Sequence, residues 1–457
     1  MYKAYITTIK NVRKHPNADR LQLGECFGNT VCVNLDYTEG QIGVYFPTDG
    51  QLSVEFAEAN NLLRKKDADG NNIGGYMDPD KRNVTSIRLR GEKSDGLFLP
   101  LTCLESFGDI STLKVGDVID VFNGHEICKK YIPRSNRRNG NGGGNKTRKS
   151  KVNIAPLFVE HADTEQLAYN LSAFKPGDEI EITLKMHGTS QRTAYLPVFK
   201  EYKRTLLDKI LRREGTPVYD WGYVSGTRRT VLENYDGGYY GSNEFREQHS
   251  KFFEGKLWKG EEIFYEVVGF THTGTPIMAT ADNKKINDKE FIKKYGKTTV
   301  FSYGCEPDGK RVEPVIDEDL GHGVAMADVP QSDIYVYRMT MTNEDGNVIE
   351  YTPDFMRYRC EQMGVKTVPV FWKGFLQEMD RDEAAGEYAQ RLAEVYYDGP
   401  DPVGKTHVRE GVVVRILNRP KFAAYKHKNF SFKVLEGIIK DVADTPDMEE
   451  AEGLENE

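Results

Sequence analysis

The sequence predicts an α+β protein of two domains, a small β-barrel or sandwich followed by a larger domain of β-type runs with a few helices. Three observations carry that prediction. At 457 residues the chain exceeds what one hydrophobic core usually serves. Short β-branched and aromatic runs with turn signals between them dominate residues 1–125. A stretch of abruptly different composition, rich in Gly, Asn, Lys and Arg, then separates that region from the remainder.

In chain order, "TVCVNL", "IGVYFP", "TSIRLR" and "GLFLPL" read as strands of the first domain, residues 1–125. Residues 126–152 hold "KKYIPRSNRRNGNGGGNKTRKSK", a flexible basic linker in which Arg134, Arg137 and Arg138 are candidates for phosphate contact; a plain tether is the alternative. The second domain is placed at 153–440. Within it "EYKRTLLDKILRR" sets Tyr202, Leu206, Ile210 and Leu211 at helical spacing, which predicts a packed helix with a solvated basic face. "PDFMRYRCEQMG" reads as a helix opened by Pro353 and stopped at Gly364, and "RDEAAGEYAQRLAEVYY" as another. Residues 441–457 carry eight acids and neither Lys nor Arg, which predicts a disordered acidic tail.

That tail accounts for the whole formal net charge of -8, so the body is neutral and can present basic surface to nucleic acid. The six cysteines are scattered without a CxxC pair, which argues against a zinc site or a disulfide framework and fits a reducing cytoplasm. No apolar run approaches the ~20 residues of a membrane span, and the first residues lack a signal peptide's apolar core.

Four separated pieces of the second domain each set a charged residue in or beside an apolar strand. They are "TLKMHGT" with Lys185, "IFYEVVGF" with Glu266, "VREGVVVRI" with Glu410, and "AAYKHKNFSF" with Lys426 and Lys428. Period-2 alternation places Glu266 on one face with Phe264 and Val268, and Glu410 on one face with Val412 and Val414. Singly, each is an ordinary strand-edge charge, and Lys185 above Gly188 is most simply a solvated hairpin corner.

In this order the set resembles the covalent nucleotidyltransferase superfamily of polynucleotide ligases and mRNA capping enzymes. Lys185, Met186, His187 and Gly188 match its Lys-x-(Asp/His/Asn)-Gly motif. Glu266 matches its strand glutamate, Glu410 to Val413 its Glu-Gly-x-Val, and Lys426 and Lys428 its Lys-x-Lys. "SGTRRT" looks like the intervening arginine motif, with Arg228 the match and Arg229 the alternative. "DIYVYRM" resembles the strand that offers adenine an aromatic platform, Tyr335 and Tyr337 sharing a face; Phe301 in "FSYG" is a second match for that strand. "HPNADRLQL" and "RGEKSDGLFLP", containing Arg20 and Arg90, resemble the OB-fold tRNA-binding domain found on some aminoacyl-tRNA synthetases.

The resemblance implies an N-terminal OB-fold barrel followed by an antiparallel-sheet nucleotidyltransferase domain, and an order of domains similar to the RNA ligase 5 family. It implies an ATP-dependent RNA ligase, with Mg²⁺ or Mn²⁺, that seals 3'-OH/5'-phosphate ends at nicks in RNA or RNA/DNA duplexes and acts as a monomer without a membrane. Lys185 would attack the α-phosphorus of ATP, and Lys426 and Lys428 would lower its pKa and neutralise the phosphates. Glu266 and Glu410 would hold the hydrated metal ion. Gly188 would permit a tight reversal behind the nucleophile, and His187 would make a local hydrogen bond. Tyr335 or Tyr337 would stack on adenine, Arg228 would reach ribose or phosphate, and Arg20 and Arg90 would contact nucleic acid. A DNA ligase, a capping guanylyltransferase and a non-catalytic RNA-binding protein on a degenerate scaffold are the alternatives.

Overall fold

In a computed structural model of the chain, the alternating "EIEITLK" becomes the strand Glu179–Lys185. Its Ile180, Ile182 and Leu184 are fully buried, and Glu181, Thr183 and Lys185 take the other face. Burying each of those aliphatic side chains contributes roughly 1.5–3 kcal/mol, enough to hold the lysine's register against slippage. The structure describes residues 2–66, 68, 72–131, 152–159, 161, 164–211, 213–228, 231–232, 235, 243–271, 276–301, 303, 315–317, 322–324, 332–376 and 384–443. Arg134, Arg137, Arg138, Arg229 and the acidic residues beyond Ala443 lie outside that set.

Two compact units share the chain. One takes the described residues of 1–135, 281–299 and 430–446, the other those of 136–280 and 300–429. The first is built of short antiparallel strands. Leu97–Pro100, Ile42–Phe46, Ala4–Thr8 and Val118–Ile119 form one sheet in that order, and Lys10–Lys14, Gln22–Cys26 and Asn29–Val33 form another. Ile6, Val44, Phe46, Phe56 and Leu104 sit in its core. Among the described residues these pairings do not close a barrel. The two quoted motifs of this unit do meet. Asn17 Nδ2 donates to Arg90 O (2.9 Å), and buried His15 places Nε2 3.2 Å from Leu89 O. Arg20 and Arg90 are both exposed beside that junction.

The units cross the boundary drawn from composition. Residues 281–299 and the helix Phe430–Ala443 belong with the N-terminal strands. Ion pairs account for this: Arg88 meets Asp288 at 2.7 Å, Lys433 meets buried Asp95, and the Phe430 ring lies under Arg88 and Lys93. The expected linker also begins late, since Cys128–Lys130 is a strand paired with Gly50–Leu52.

Among its described residues the second unit contains two large sheets, besides the pair Val315–Asp317 and His322–Val324. The five-stranded one orders Glu165–Gln166, Ala423–Lys428, Gly411–Ile416, Glu179–Lys185 and Val370–Phe375. Ile180, Ile182, Val412, Val414 and Ile416 pack there beside Ala389 and Ala393 of helix Ala385–Tyr396. The other sheet runs Thr216–Gly226, Thr189–Lys203, Glu261–Gly269, Ser332–Thr342 and Val348–Glu350, with Lys366–Thr367 added parallel to Ser332–Thr342. Ile263, Tyr265 and Val267 enter its core with Met356, Cys360 and Met363 of helix Pro353–Met363. That helix starts on the Thr352 cap with Pro353 in its first turn and stops at Gly364 at φ 73°, as its sequence signals predict.

One predicted element differs. "EYKRTLLDKILRR" yields only the helix Leu206–Ile210 between the strands Thr189–Lys203 and Thr216–Gly226, and Leu206 and Ile210 are 80% and 74% exposed. Helical spacing is satisfied, but a hairpin tip this far along two strands meets no core to pack against.

Candidate active site

Lys185 ends its strand at the passage between the two sheets: Met186 to Gly188 link it to Thr189, where the neighbouring sheet's strand begins. The lysine is therefore no hairpin corner. Gly188 serves the passage by close approach. A Cβ there would fall 2.3 Å from Val267 O and 2.9 Å from Glu266 Cγ, and Gly188 is absent from the residues with positive φ. The expected tight reversal is replaced by a crossing over strand Glu261–Gly269, where any side chain would collide with backbone.

Glu410 gathers the other pieces. Its Oε1 lies 2.8 Å from Lys185 Nζ and 3.3 Å from Lys428 Nζ, and its Oε2 lies 3.3 Å from His187 Nδ1. Its side chain is 3% exposed, that of Lys185 23%. Ladder register explains the convergence, because Gly411 stands opposite both Lys185 and Lys428. Alternation alone placed Glu410 with Val412 and Val414 on the core face. Gly411, at φ 149°, interrupts that alternation and lets the carboxylate meet lysines of the opposite face. Lys426 stands opposite Val413, two residues from Lys428 on the same strand.

Glu266 behaves as its alternation predicts, outside the core formed by Ile263, Tyr265 and Val267. Its Oε1 accepts the Gly188 N–H at 3.1 Å, and its register partners are Ser190 and Tyr335. Tyr335 is buried, with the Lys366 ammonium 5.8 Å from its ring centre. Tyr337 is the residue passed over at an irregularity in this ladder, and His161, near its ring, packs on Phe264 at 4.6 Å. A register shift sets Arg338 opposite Phe264, and the Tyr337 ring lies 6.1 Å from His161. Phe301 packs edge-on against His187, ring centres 4.5 Å apart. Arg228 follows strand Thr216–Gly226, and its carbonyl accepts from His161 N–H at 3.2 Å.

Electrostatics correct one expectation. Burial and Lys428 push the Lys185 pKa down, but the Glu410 and Glu266 carboxylates pull it up, and they prevail: it is raised. Burial alone would lift the Glu410 carboxyl, yet Lys185, Lys428 and His187 hold it well below the usual carboxylate range. A raised lysine beside a depressed carboxyl is an ammonium on a carboxylate, so Lys428 does not by itself make the amine neutral. Two carboxylates beside one lysine, with no three His, Cys, Asp or Glu side chains gathered among the described residues, fit a hard cation that keeps most of its waters better than an all-protein cage.

Sequence reasoning missed Tyr303 and Asp401, whose buried side chains stand behind His187. Neither stands in a stretch of sequence whose periodicity marks it. It also missed buried Arg192, which pairs with Glu262 at 2.8 Å.

No protein-family profile and no curated protein matches this sequence. Solved structures do match. RNA ligase from Naegleria gruberi with PPi aligns at a TM-score of 0.51 and 16% identity, over 97% of this chain and 99% of that one. A variant of the same ligase with ATP and Mn aligns at 0.51 and 16%, over 94% and 97%, and an apo variant at 0.52 and 17%, over 94% and 96%. At that identity the likeness speaks for architecture alone: the chain has a mixed α+β, mostly antiparallel fold shared with these RNA ligase structures.

Proposed function

We propose that the chain is an ATP-dependent RNA ligase whose covalent nucleophile is Lys185. The observation that carries this is the convergence of Lys185, Lys428 and His187 on one buried carboxylate in a fold shared with RNA ligase. On this reading the N-terminal unit is an OB-type module, and the second unit is the nucleotidyltransferase domain.

Lys185 Nζ attacks the α-phosphorus of ATP, forming an N–P bond as the P–O bond to pyrophosphate breaks; the amine's proton leaves to solvent. An RNA 5'-phosphate oxygen next attacks that phosphorus, freeing the lysine and leaving a 5'-adenylated strand. The neighbouring 3'-OH then attacks the 5'-phosphorus, and AMP departs. Lys428 and Lys426 spread positive charge over the phosphates in flight, and the passage through Gly188 holds the lysine over its own carboxylate. Glu266 and Glu410 would hold a divalent ion, which supplies further neutralisation of phosphate charge when bound. Tyr335, opposite Glu266, would offer its ring to adenine, and Arg228 would reach ribose or phosphate.

The test is transfer of label from α-³²P-ATP to the protein, then to a 5'-phosphorylated strand, followed by sealing of nicked duplexes in all four RNA/DNA combinations flanking the nick. Labelling by ATP, with sealing only where the 3'-OH strand ends in RNA, is the expected outcome. Labelling by GTP alone would make the protein a capping guanylyltransferase, and nucleic-acid binding with no adduct would make it a non-catalytic binder.

A further inference from the structure

Two consecutive backbone N–H groups follow Lys185 in the passage between sheets, and each has its own acceptor. That of Gly188 donates to Glu266 Oε1, and that of His187 donates to the Tyr303 hydroxyl at 3.1 Å. Tyr303 is 1% exposed, and its own hydroxyl proton points to Asp401 Oδ2, 3.4 Å away. Asp401 is equally buried, and its Oδ1 accepts from Val403 N–H and Gly404 N–H at 2.8 and 2.7 Å. Its backbone N–H donates to His407 O, closing the loop that runs directly into Glu410. One phenol thus ties the backbone behind the nucleophile to the loop that delivers its carboxylate.

Aromatic packing fixes that phenol sideways. The His407 ring stands edge-on to Tyr303 and to Phe301, at 4.9 and 5.2 Å between centres, and Phe301 in turn supports His187. Burial, reinforced by the Asp401 carboxylate, raises the Tyr303 pKa well above its ordinary value, so the hydroxyl keeps its proton and can accept from His187 while donating to Asp401.

We propose that Tyr303, held by Asp401, is a positioning residue that sets Lys185 for attack on the α-phosphorus, and that it serves the lysine's adenylation and not the final sealing step. This rests on the ligase reading above. The reasoning is geometric: a displacement of ~1 Å at a nucleophile can cost about 100-fold in rate, while a strand already adenylated no longer needs Lys185 to attack.

The experiment compares Tyr303→Phe with the unaltered protein in two single-turnover assays: label transfer from α-³²P-ATP to protein, and sealing of a nicked duplex carrying a preformed 5'-adenylate. Adenylation should fall roughly 10- to 100-fold at saturating ATP, with the half-saturating ATP concentration changed less than about twofold and sealing of the preformed adenylate close to unaltered. Equal losses in both assays would reduce the phenol to a core tie, and no loss in either would remove it from the mechanism; both overturn the proposal. Should Tyr303→Phe lose its folded circular-dichroism spectrum, Asp401→Asn is judged by the same ratio of the two assays. Absence of label in the unaltered protein with every nucleoside triphosphate would sink the ligase reading first, and this proposal with it.

Discussion

Two buried glutamates of the second unit show how the same residue type can serve different ends. Glu261 is fully buried and receives Arg359 through both Nε and Nη2 at 2.7 Å, with Tyr351 Oη at 3.1 Å and Trp258 N–H at 2.7 Å. Arg359 also lies over the Trp258 ring, 3.8 Å from its centre. Its charged partner is a rigid, planar fork that never loses its proton, and two further donors complete the set. Glu410 is about as buried, but its partners are two lysines and a histidine, at 2.8 to 3.3 Å, and Lys185 remains 23% exposed. Lysines are point charges on flexible stems and can leave a carboxylate without dismantling a fork. The first arrangement stiffens the sheet; the second, on the ligase reading proposed above, holds a charge that the reaction must release.

Changing each glutamate's partner should therefore have opposite signatures. Lys185→Ala should abolish label transfer from α-³²P-ATP, by at least ~10³-fold, while the thermal midpoint stays near that of the unaltered protein. Retained labelling would end the identification of the nucleophile. Arg359→Ala should do the reverse, stranding a buried carboxylate at a cost of about 3–5 kcal/mol in unfolding free energy, measured by urea titration. A loss under about 1 kcal/mol would mean Glu261 finds water or sheds its charge.

Glu410→Gln keeps the shape but removes the charge that holds Lys185 and Lys428. Adenylation should slow on the order of 100-fold, with stability changed by much less than in Arg359→Ala. The smallest effect is that of pH. The Glu410 carboxyl is depressed, so its stabilising contribution is present above about pH 4.3 and disappears as pH falls through the lower folded value. The Lys185 pKa is raised, so its contribution persists below about pH 10.4 and is lost as pH rises through the higher folded value. Because attack needs the neutral amine, single-turnover labelling should still be climbing between about pH 7 and pH 9. A plateau at neutrality would show that the pair is already broken in the nucleotide complex.

Much of the site could be read from the chain because strands impose a period of two. Alternation in "EIEITLK" puts Lys185 opposite the buried aliphatics, and alternation in "IFYEVVGF" puts Glu266 on the face away from the core. The same rule failed at Glu410, where Gly411 at φ 149° breaks the period. Helical spacing did give a helix at Leu206 and Ile210, but it left both side chains exposed. Tyr303 and Asp401 carry no period at all.

What the sequence determined by itself was the order of charged residues among apolar strands, since burial of every second side chain is a local property. What only the tertiary structure decided was which charges meet. Lys185, Lys428 and Glu410 come together because Gly411 stands between two neighbouring strands, one from early and one from late in this unit of the chain. Residues 281–299 and 430–443 join the N-terminal strands for the same reason. Ion pairs such as Arg88–Asp288 and Lys433–Asp95 span some 200 and 338 positions, and no window of sequence can weigh an attraction whose partner it does not contain.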